Sequence, residues 1–166
     1  ERFTDAEQQG KIRDVRAAHR WLMLRGQAQL ATTSDEGSVR LLTPPERITD
    51  RLVFVGASIG ANLAFQMFED VGGVRVAVLL SPGLDYRGIR TEPLAERISS
   101  NQSVLLAAGG ADDAYSTTTV QRLAEILGDR ATVRILTNAG HGTTMFEREP
   151  AFTADVANWI AEHIGP

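Results

Sequence analysis

A serine with a glycine two residues away on either side is the first feature of this chain that could do chemistry. Residues 51–65 read RLVFVGASIGANLAF, an apolar run that continues through Gly56-Ala-Ser-Ile-Gly60 into a helical pattern. On such a strand–turn–helix bend, the hydroxyl of Ser58 would project clear of the sheet as a nucleophile. The two glycines would let the strand and helix backbones approach each other closely. The alternative interpretation is a serine that only caps the following helix.

A serine nucleophile needs a base, because its hydroxyl is almost wholly protonated at neutral pH. His141 lies in a Gly-His-Gly loop after an apolar run, with no apolar periodicity around it. That setting favours a functional histidine over a histidine packed in a core. The amide of Ile59 and the positive end of the new helix would lie beside an oxyanion formed at Ser58. Together these residues predict acyl transfer at a serine.

A carboxylate must also hold the imidazole in the tautomer that accepts the serine proton. Asp112 and Asp113 both follow an apolar run that lies between the serine and the histidine, and Asp85 follows the run before it. Only one of the adjacent pair can point at His141, and its neighbour would then be a turn residue or a helix cap. Serine, acid and histidine come in the chain order of one known class of hydrolase triad.

The elements that would position these residues alternate between strand and helix after residue 50. We predict strands and helices, in chain order, at 52–56, 59–69, 74–80, 103–108, 117–127, 132–136 and 150–163. The near-continuous apolar strands are typical of parallel strands that are covered on both faces. Ligands bind such sheets at the carboxyl ends of the strands, where Ser58, His141 and the candidate acids would meet. The sequence therefore predicts an α/β fold with a mostly parallel sheet and helices on both faces.

A helix and a hairpin are predicted ahead of this core. Residues from about 4 to 24 have helical periodicity, and one apolar stripe is formed by Ile12, Val15, Ala18, Trp21 and Leu22. Residues 28–43 contain two short runs that flank Asp35-Glu-Gly37, a pattern typical of a hairpin. We interpret 1–166 as a single domain, with helix and hairpin in 1–50 and the catalytic core in 51–166.

Composition disfavours several classes of function. The formal net charge of -4 gives no reason to expect a nucleic-acid partner, and no apolar stretch approaches the length of a membrane span. The chain has no cysteine, and His19 and His163 lie in helical segments without partners at metal-ligand spacing, so no metal site is expected. Nucleotide-binding glycine motifs are also missing after the first parallel strand. A soluble protein is expected, either cytoplasmic or exported with its signal removed.

Four segments together resemble the catalytic core of an α/β-hydrolase-fold serine hydrolase, of the small esterase and dienelactone-hydrolase-like group. The resemblance begins at about Asp14 and is carried by GASIGANLAF (56–65), LLSPGLDYRGI (79–89), ADDAY (111–115) and GHGTTMF (140–146). It implies hydrolysis of a small-molecule carboxylic ester through an acyl-enzyme, with no cofactor. In that group the acid precedes a small residue or proline and then a tyrosine. The resemblance therefore ranks Asp113 first, Asp112 second and Asp85 third.

The chain departs from that group in lacking the first strands of the fold before residue 52. The domain is therefore expected to be N-terminally incomplete, and the loop that would donate a second oxyanion amide is not identified. The exposed sheet edge could be covered by the hairpin 28–43, by a second copy in a homodimer, or by the remainder of a longer hydrolase. The alternative function is a catalytically impaired binding or assembly module.

Three further residues have two open interpretations each. Tyr86 and Met145 could line an acyl pocket or pack in the core and loops. Asn62 could shape the bend at Ser58, but we favour an ordinary position inside the helix.

Overall fold

The computed structural model describes residues 4–29, 31–33, 39–41 and 52–164. Within these ranges the helices and strands, in chain order, are α1 (Asp5–Gly10), α2 (Ile12–Gln29), β1 (Ala31–Thr33), β2 (Val39–Leu41), β3 (Val53–Ala57), α3 (Ile59–Asp70), β4 (Val76–Leu80), β5 (Asp85–Tyr86), β6 (Ile89–Arg90), α4 (Glu92–Arg97), β7 (Ser103–Ala108), α5 (Ala114–Leu127), β8 (Ala131–Ile135), α6 (Thr144–Arg148) and α7 (Ala151–His163). Two 3-10 turns, Gly110–Asp113 and Gly128–Arg130, flank α5.

A four-stranded parallel sheet forms the centre of the fold, in the order β3-β4-β7-β8. The pairs are in continuous register, from Val53 opposite Val76 to Ala108 opposite Ile135. Every residue of β4 is buried, as its uninterrupted apolar sequence VAVLL predicts for a strand covered on both faces. The predicted α/β architecture, with a mostly parallel sheet, is confirmed.

Helices cover both faces of this sheet, because alternate residues of each strand point to opposite sides. On one face, Leu79 and Leu106 pack with Phe65 of α3 and Leu123 of α5. On the other face, the apolar cluster contains Val78, Leu105, Met145, Phe152 and Trp159, so that α6 and α7 close that side. Full burial of a large apolar side chain stabilises the fold by about 1.5–3 kcal/mol. The two layers hold the carboxyl ends of the strands in a rigid frame.

Helix α2 packs on α3 through a narrower face than the sequence predicts. Ile12 and Val15 belong to a cluster with Leu63 and Met67. Trp21 is 55% exposed and Leu22 is also exposed, as is Ala18, so the predicted stripe is wrong for its last three residues. The reason is geometric. At about 100° per residue, the face that begins at Ile12 and Val15 continues through 19 and 23 and leaves 18 and 21 outside, while 22 lies at its edge.

The predicted hairpin is present as an antiparallel pair, with Ala31 opposite Leu41 and Thr33 opposite Val39. Its predicted turn at 35–37 lies outside the described residues. The hairpin forms a separate two-stranded sheet. Among the residues that the structure describes, β3 therefore has a strand neighbour only on its β4 side, and the hairpin does not extend the parallel sheet.

The segment between β4 and β7, which the sequence predicts as a loop, contains a second small hairpin and α4. Strands β5 and β6 pair antiparallel across Arg87 and Gly88, which both have positive φ values of 57° and 81°. Two such residues form the tight turn whose twist matches that of paired strands. The carboxylate of Asp85 accepts a hydrogen bond from the Gly88 amide at 2.7 Å and stabilises this turn. In the described ranges, no helix is both long enough and apolar enough to cross a membrane.

Candidate active site

Ser58 lies on a strained bend between β3 and α3. Its φ of 54° and ψ of -128° are disfavoured for any residue except glycine, and such a backbone costs about 1–3 kcal/mol. The bend is held because the Ser58 amide donates to the carbonyl of Leu80 at 2.8 Å, and its carbonyl accepts from Ala61. The hydroxyl makes no capping hydrogen bond to α3, whose residues are all described. The helix-cap interpretation of this serine therefore finds no support in the geometry.

The two glycines that flank Ser58 have different roles. A Cβ atom on Gly56 would lie 2.1 Å from the carbonyl oxygen of Gly60, so β3 and α3 can meet only if residue 56 has no side chain. A Cβ atom on Gly60 would meet nothing within 4 Å. The expectation that both glycines allow the close approach is right for Gly56 and wrong for Gly60, since only the former points into the other backbone.

Asp113 and His141 are joined by a hydrogen bond. The distance between Asp113 Oδ1 and His141 Nδ1 is 3.0 Å, and the carboxylate is buried while the imidazole is 45% exposed. Burial raises the pKa of Asp113, but the polar hydrogens of Ser81, His141 and Ser116 lower it by more. The net effect holds this pKa below its usual value, so the carboxylate is ionised when it faces the imidazole.

The other two acidic candidates have different partners. Asp112 accepts a hydrogen bond from Arg148 Nη1 at 2.7 Å in an exposed ion pair. Asp85 belongs to the turn between β5 and β6. Of the three carboxylates, Asp113 is thus the one that contacts His141.

The loop that carries His141 is held between the ends of β3 and β7. A Cβ atom on Gly109 would lie 1.8 Å from the carbonyl oxygen of Gly140, so the loop after β7 and the histidine loop touch through their backbones. On the other side, a Cβ atom on Gly142 would lie 3.5 Å from that of Ala57, next to the bend at Ser58. Serine, acid and histidine therefore share one edge of the sheet. Within the described residues, no hydrogen bond joins Ser58 directly to His141.

Tyr86 borders Ser58, whereas Met145 does not line the site. The Tyr86 hydroxyl lies 3.4 Å from Ser116 Oγ, and its ring is 5.7 Å from that of Tyr115 between centroids. Burial raises the pKa of Tyr86, and hydrogen bonds with Ser116 and Ser58 oppose that rise. Met145 is fully buried in the core beneath the sheet, which selects the packing interpretation for that residue.

Asn62 has a role that the sequence interpretation missed. Its side chain is fully buried, donates to the carbonyls of Gly83 and Ile89 at 2.9 and 2.7 Å, and accepts from the Gly83 amide at 3.0 Å. These bonds fasten the segment that carries Tyr86 to α3. The available signal was a lone amide side chain on the apolar face of a predicted helix, because a buried amide must find partners.

The two remaining histidines pack within helices. His163 Nδ1 lies 2.8 Å from the carbonyl oxygen of Trp159, and the two rings stack at 4.3 Å between centroids. His19 lies near the ring of Phe54, at 6.3 Å between centroids.

Comparisons with known proteins bear on the fold. No protein-family profile matches the sequence, and no curated protein matches it either. Among solved structures, the chain is similar to the Pyrococcus furiosus esterase Pf2001, with a TM-score of 0.58 and 15% sequence identity. The chain has an esterase-like α/β fold. The match covers 68% of this chain and 54% of the esterase, so the chain spans about half of that structure's length.

Proposed function

We propose that this chain is a serine hydrolase that cleaves small carboxylic esters through an acyl-enzyme. Ser58 would be the nucleophile, His141 the base and Asp113 the acid that orients it. The hydrogen bond of 3.0 Å between His141 Nδ1 and the buried Asp113 carboxylate is the observation that carries this proposal. The strained serine on the same edge of the sheet supports it, because such strain is concentrated at functional sites.

The reaction follows from the two nitrogens of the imidazole. In the neutral imidazole whose Nδ1 donates to Asp113, Nε2 carries no proton and can accept the one on the Ser58 hydroxyl. The serine oxygen then forms a bond to the ester carbonyl carbon, and the electron pair of the C=O bond moves to the oxygen. That electron pair then re-forms the C=O bond while the bond to the alkoxy oxygen breaks, and His141 gives its proton to the leaving alcohol. The same nitrogen later takes a proton from water, whose oxygen bonds to the acyl carbon as the bond to Ser58 breaks and the acid leaves.

Asp113 would stabilise the imidazolium that forms in each step. Its lowered pKa keeps the negative charge in place at neutral pH, after burial and the opposing hydrogen bonds are both taken into account. A buried charge is screened less by water than an exposed one, so its attraction for the imidazolium is stronger.

The oxyanion would be stabilised by the amide of Ile59, at the positive end of the 12-residue helix α3. One donor of this kind typically contributes about 3 kcal/mol, or about 10²–10³ in rate. We identify no second donor among the described residues. We therefore expect efficient acylation of activated esters and slow turnover of unactivated ones.

Labelling with a fluorophosphonate tests this proposal directly. The probe should modify Ser58, and mass spectrometry of the digested protein should place the adduct on that residue. Ser58→Ala should abolish labelling, and His141→Ala should abolish both labelling and hydrolysis of p-nitrophenyl acetate. A folded wild-type protein that takes up no probe would contradict the proposal.

A second candidate function is assembly through the edge of β3. Val55 in the middle of this strand is 53% exposed, and the edge has no described strand neighbour. An exposed apolar edge strand is a template for pairing with another chain. We propose that a second copy pairs there about a two-fold axis, which would make one continuous sheet. The chain would then act as an assembly module if Ser58 proved unreactive.

A further inference from the structure

Ser81 occupies an unusual position directly after β4, at the edge of the sheet that holds the candidate site. It is fully buried, and its amide donates to the carbonyl of Ala107 at 2.7 Å. Its φ of 50° lies in the left-handed region that favours glycine. Because glycine would adopt this backbone without strain, a serine at this position indicates that its hydroxyl makes contacts that glycine could not make.

The Ser81 hydroxyl connects the loop of His141 with Asp113. It accepts a hydrogen bond from the Gly142 amide at 2.7 Å, directly after the histidine. A hydroxyl has one proton and two lone pairs, so this bond leaves the proton free to donate. Asp113 Oδ2 is shielded from solvent and has no partner at standard hydrogen-bond geometry among the described residues.

The Ser81 hydroxyl also acts on the Asp113 carboxylate. Burial raises the pKa of the Asp113 carboxylate, and Ser81 comes first among the groups that lower it. Ser81 therefore lies beside the carboxylate, and the hydroxyl proton that the Gly142 bond leaves free favours the ionised acid. Ser81 thus lies between the acid on one side and, on the other, the backbone of the histidine loop, to which it is hydrogen-bonded.

We propose that Ser81 is a positioning residue for the Asp113–His141 pair, an inference that rests on the proposed serine hydrolase function. Ser81 acts through Asp113 and Gly142 and does not touch the reacting atoms. Without its hydroxyl, the Gly142 amide loses its acceptor, and the Asp113 carboxylate loses a neighbouring polar group that favours its ionised form. The imidazole is then less firmly aimed at Ser58, and a small misplacement of a catalytic group lowers the rate steeply.

Two substitutions separate the hydroxyl from the backbone. Ser81→Gly relaxes the positive φ and removes the hydroxyl, whereas Ser81→Ala keeps the strain and also removes it. If the residue only makes a turn, Ser81→Gly should keep full activity. If the hydroxyl positions the pair, both variants should lose kcat for p-nitrophenyl acetate by about 10- to 100-fold, with KM within about twofold. Ser99→Ala, an exposed serine before the amino end of β7, is the matched control and should leave kcat unchanged.

Proton NMR provides a readout that does not depend on turnover. The proton between Asp113 and His141 should give a far-downfield resonance in the wild type that disappears in Asp113→Asn. It should shift or broaden in both Ser81 variants and stay in place in Ser99→Ala. If Ser81→Ala fails to fold, the kcat and the resonance of Ser81→Gly test the positioning role on their own.

The outcomes distinguish the two proposals. A wild type that takes no fluorophosphonate but shows the resonance, which shifts or broadens in Ser81→Gly, would overturn the hydrolase function and keep the positioning role. A labelled and active wild type whose Ser81→Gly variant keeps both its kcat and the resonance would overturn the positioning role alone.

Discussion

Replacement of Asp113 by asparagine, with Asp112→Asn as its matched control, tests the acid that we assign to the candidate site. The two residues are adjacent, and each substitution removes one negative charge and leaves the side-chain shape nearly unchanged. Asp113 contacts His141 Nδ1 at 3.0 Å, whereas Asp112 contacts Arg148 at 2.7 Å. The pair of variants therefore separates the charge at the imidazole from charge in its neighbourhood.

The expected magnitude follows from these two environments. In Asp113→Asn the amide can donate to Nδ1, which shifts the imidazole proton to Nε2 and removes the acceptor for the Ser58 proton. A change of this kind lowers kcat by about 10⁴, or about 5.4 kcal/mol in the activation barrier. Asp112→Asn breaks an ion pair whose two side chains are 52% and 42% exposed, and such pairs contribute about 0–1 kcal/mol to stability. Its kcat should stay within about twofold of the wild type.

The assay is steady-state hydrolysis of p-nitrophenyl acetate, with circular dichroism to verify that both variants are folded. Labelling by the fluorophosphonate gives the acylation rate independently of deacylation. The reasoning would be refuted if Asp113→Asn kept more than about a tenth of the wild-type kcat, or if Asp112→Asn lost as much activity as Asp113→Asn.

Three further predictions concern stability and assembly. Gly56→Ala should lower the free energy of unfolding by about 1–3 kcal/mol because its Cβ would collide with the helix backbone. Gly60→Ala should be neutral or stabilising by up to about 1 kcal/mol. Urea unfolding measures both changes, and equal losses of stability would contradict the geometry. Because the pKa of Asp113 is lowered, its ionised carboxylate stabilises the fold at pH values above the usual pKa of 3.8. This contribution is lost as the pH falls through the lowered pKa. The difference in unfolding free energy between wild type and Asp113→Asn should therefore shrink as the pH is lowered from about 5 to about 3, and a constant difference would count against it. Val55→Lys should abolish self-association in sedimentation velocity, because a charge in an edge strand opposes pairing; a wild type that is monomeric at every concentration would rule out the β3 interface.

The local sequence was sufficient to predict the main strands of the sheet. Strand β7 was predicted at its observed bounds, and β4 and β8 within about two residues, because an uninterrupted apolar run reports burial on both faces without reference to distant residues. The helix α4 and the small hairpin at 85–90 were missed. Their conformation depends on contacts from far along the chain, such as the buried amide of Asn62, which lies 21 residues from Gly83.

At the candidate site, the order of Ser58, an acid among Asp85, Asp112 and Asp113, and His141 could be predicted from the sequence, since each residue follows a strand and parallel strands end at one edge. The contacts around these residues could not. Whether Asp112 or Asp113 faces the imidazole depends on the 3-10 turn Gly110–Asp113, which directs one carboxylate to His141 and the other to Arg148. The resemblance ranked Asp113 above Asp112 on the alanine and tyrosine that follow it, but the periodicity and the turn pattern are the same for both residues.

The sequence by itself thus determined the class of fold, the positions of the strands and the set of residues that could do chemistry, because these depend on local composition and on the periodicity of buried side chains. Only the tertiary structure decided which carboxylate meets the histidine, which glycine allows β3 and α3 to touch, and that Ser81 and Asn62 hold the surrounding loops. Those outcomes depend on side-chain directions and backbone approaches between segments that are distant in the chain. The strained backbone at Ser58 also depends on tertiary structure, because its positive φ is set by the hydrogen bonds that hold the bend and not by the residue that occupies it.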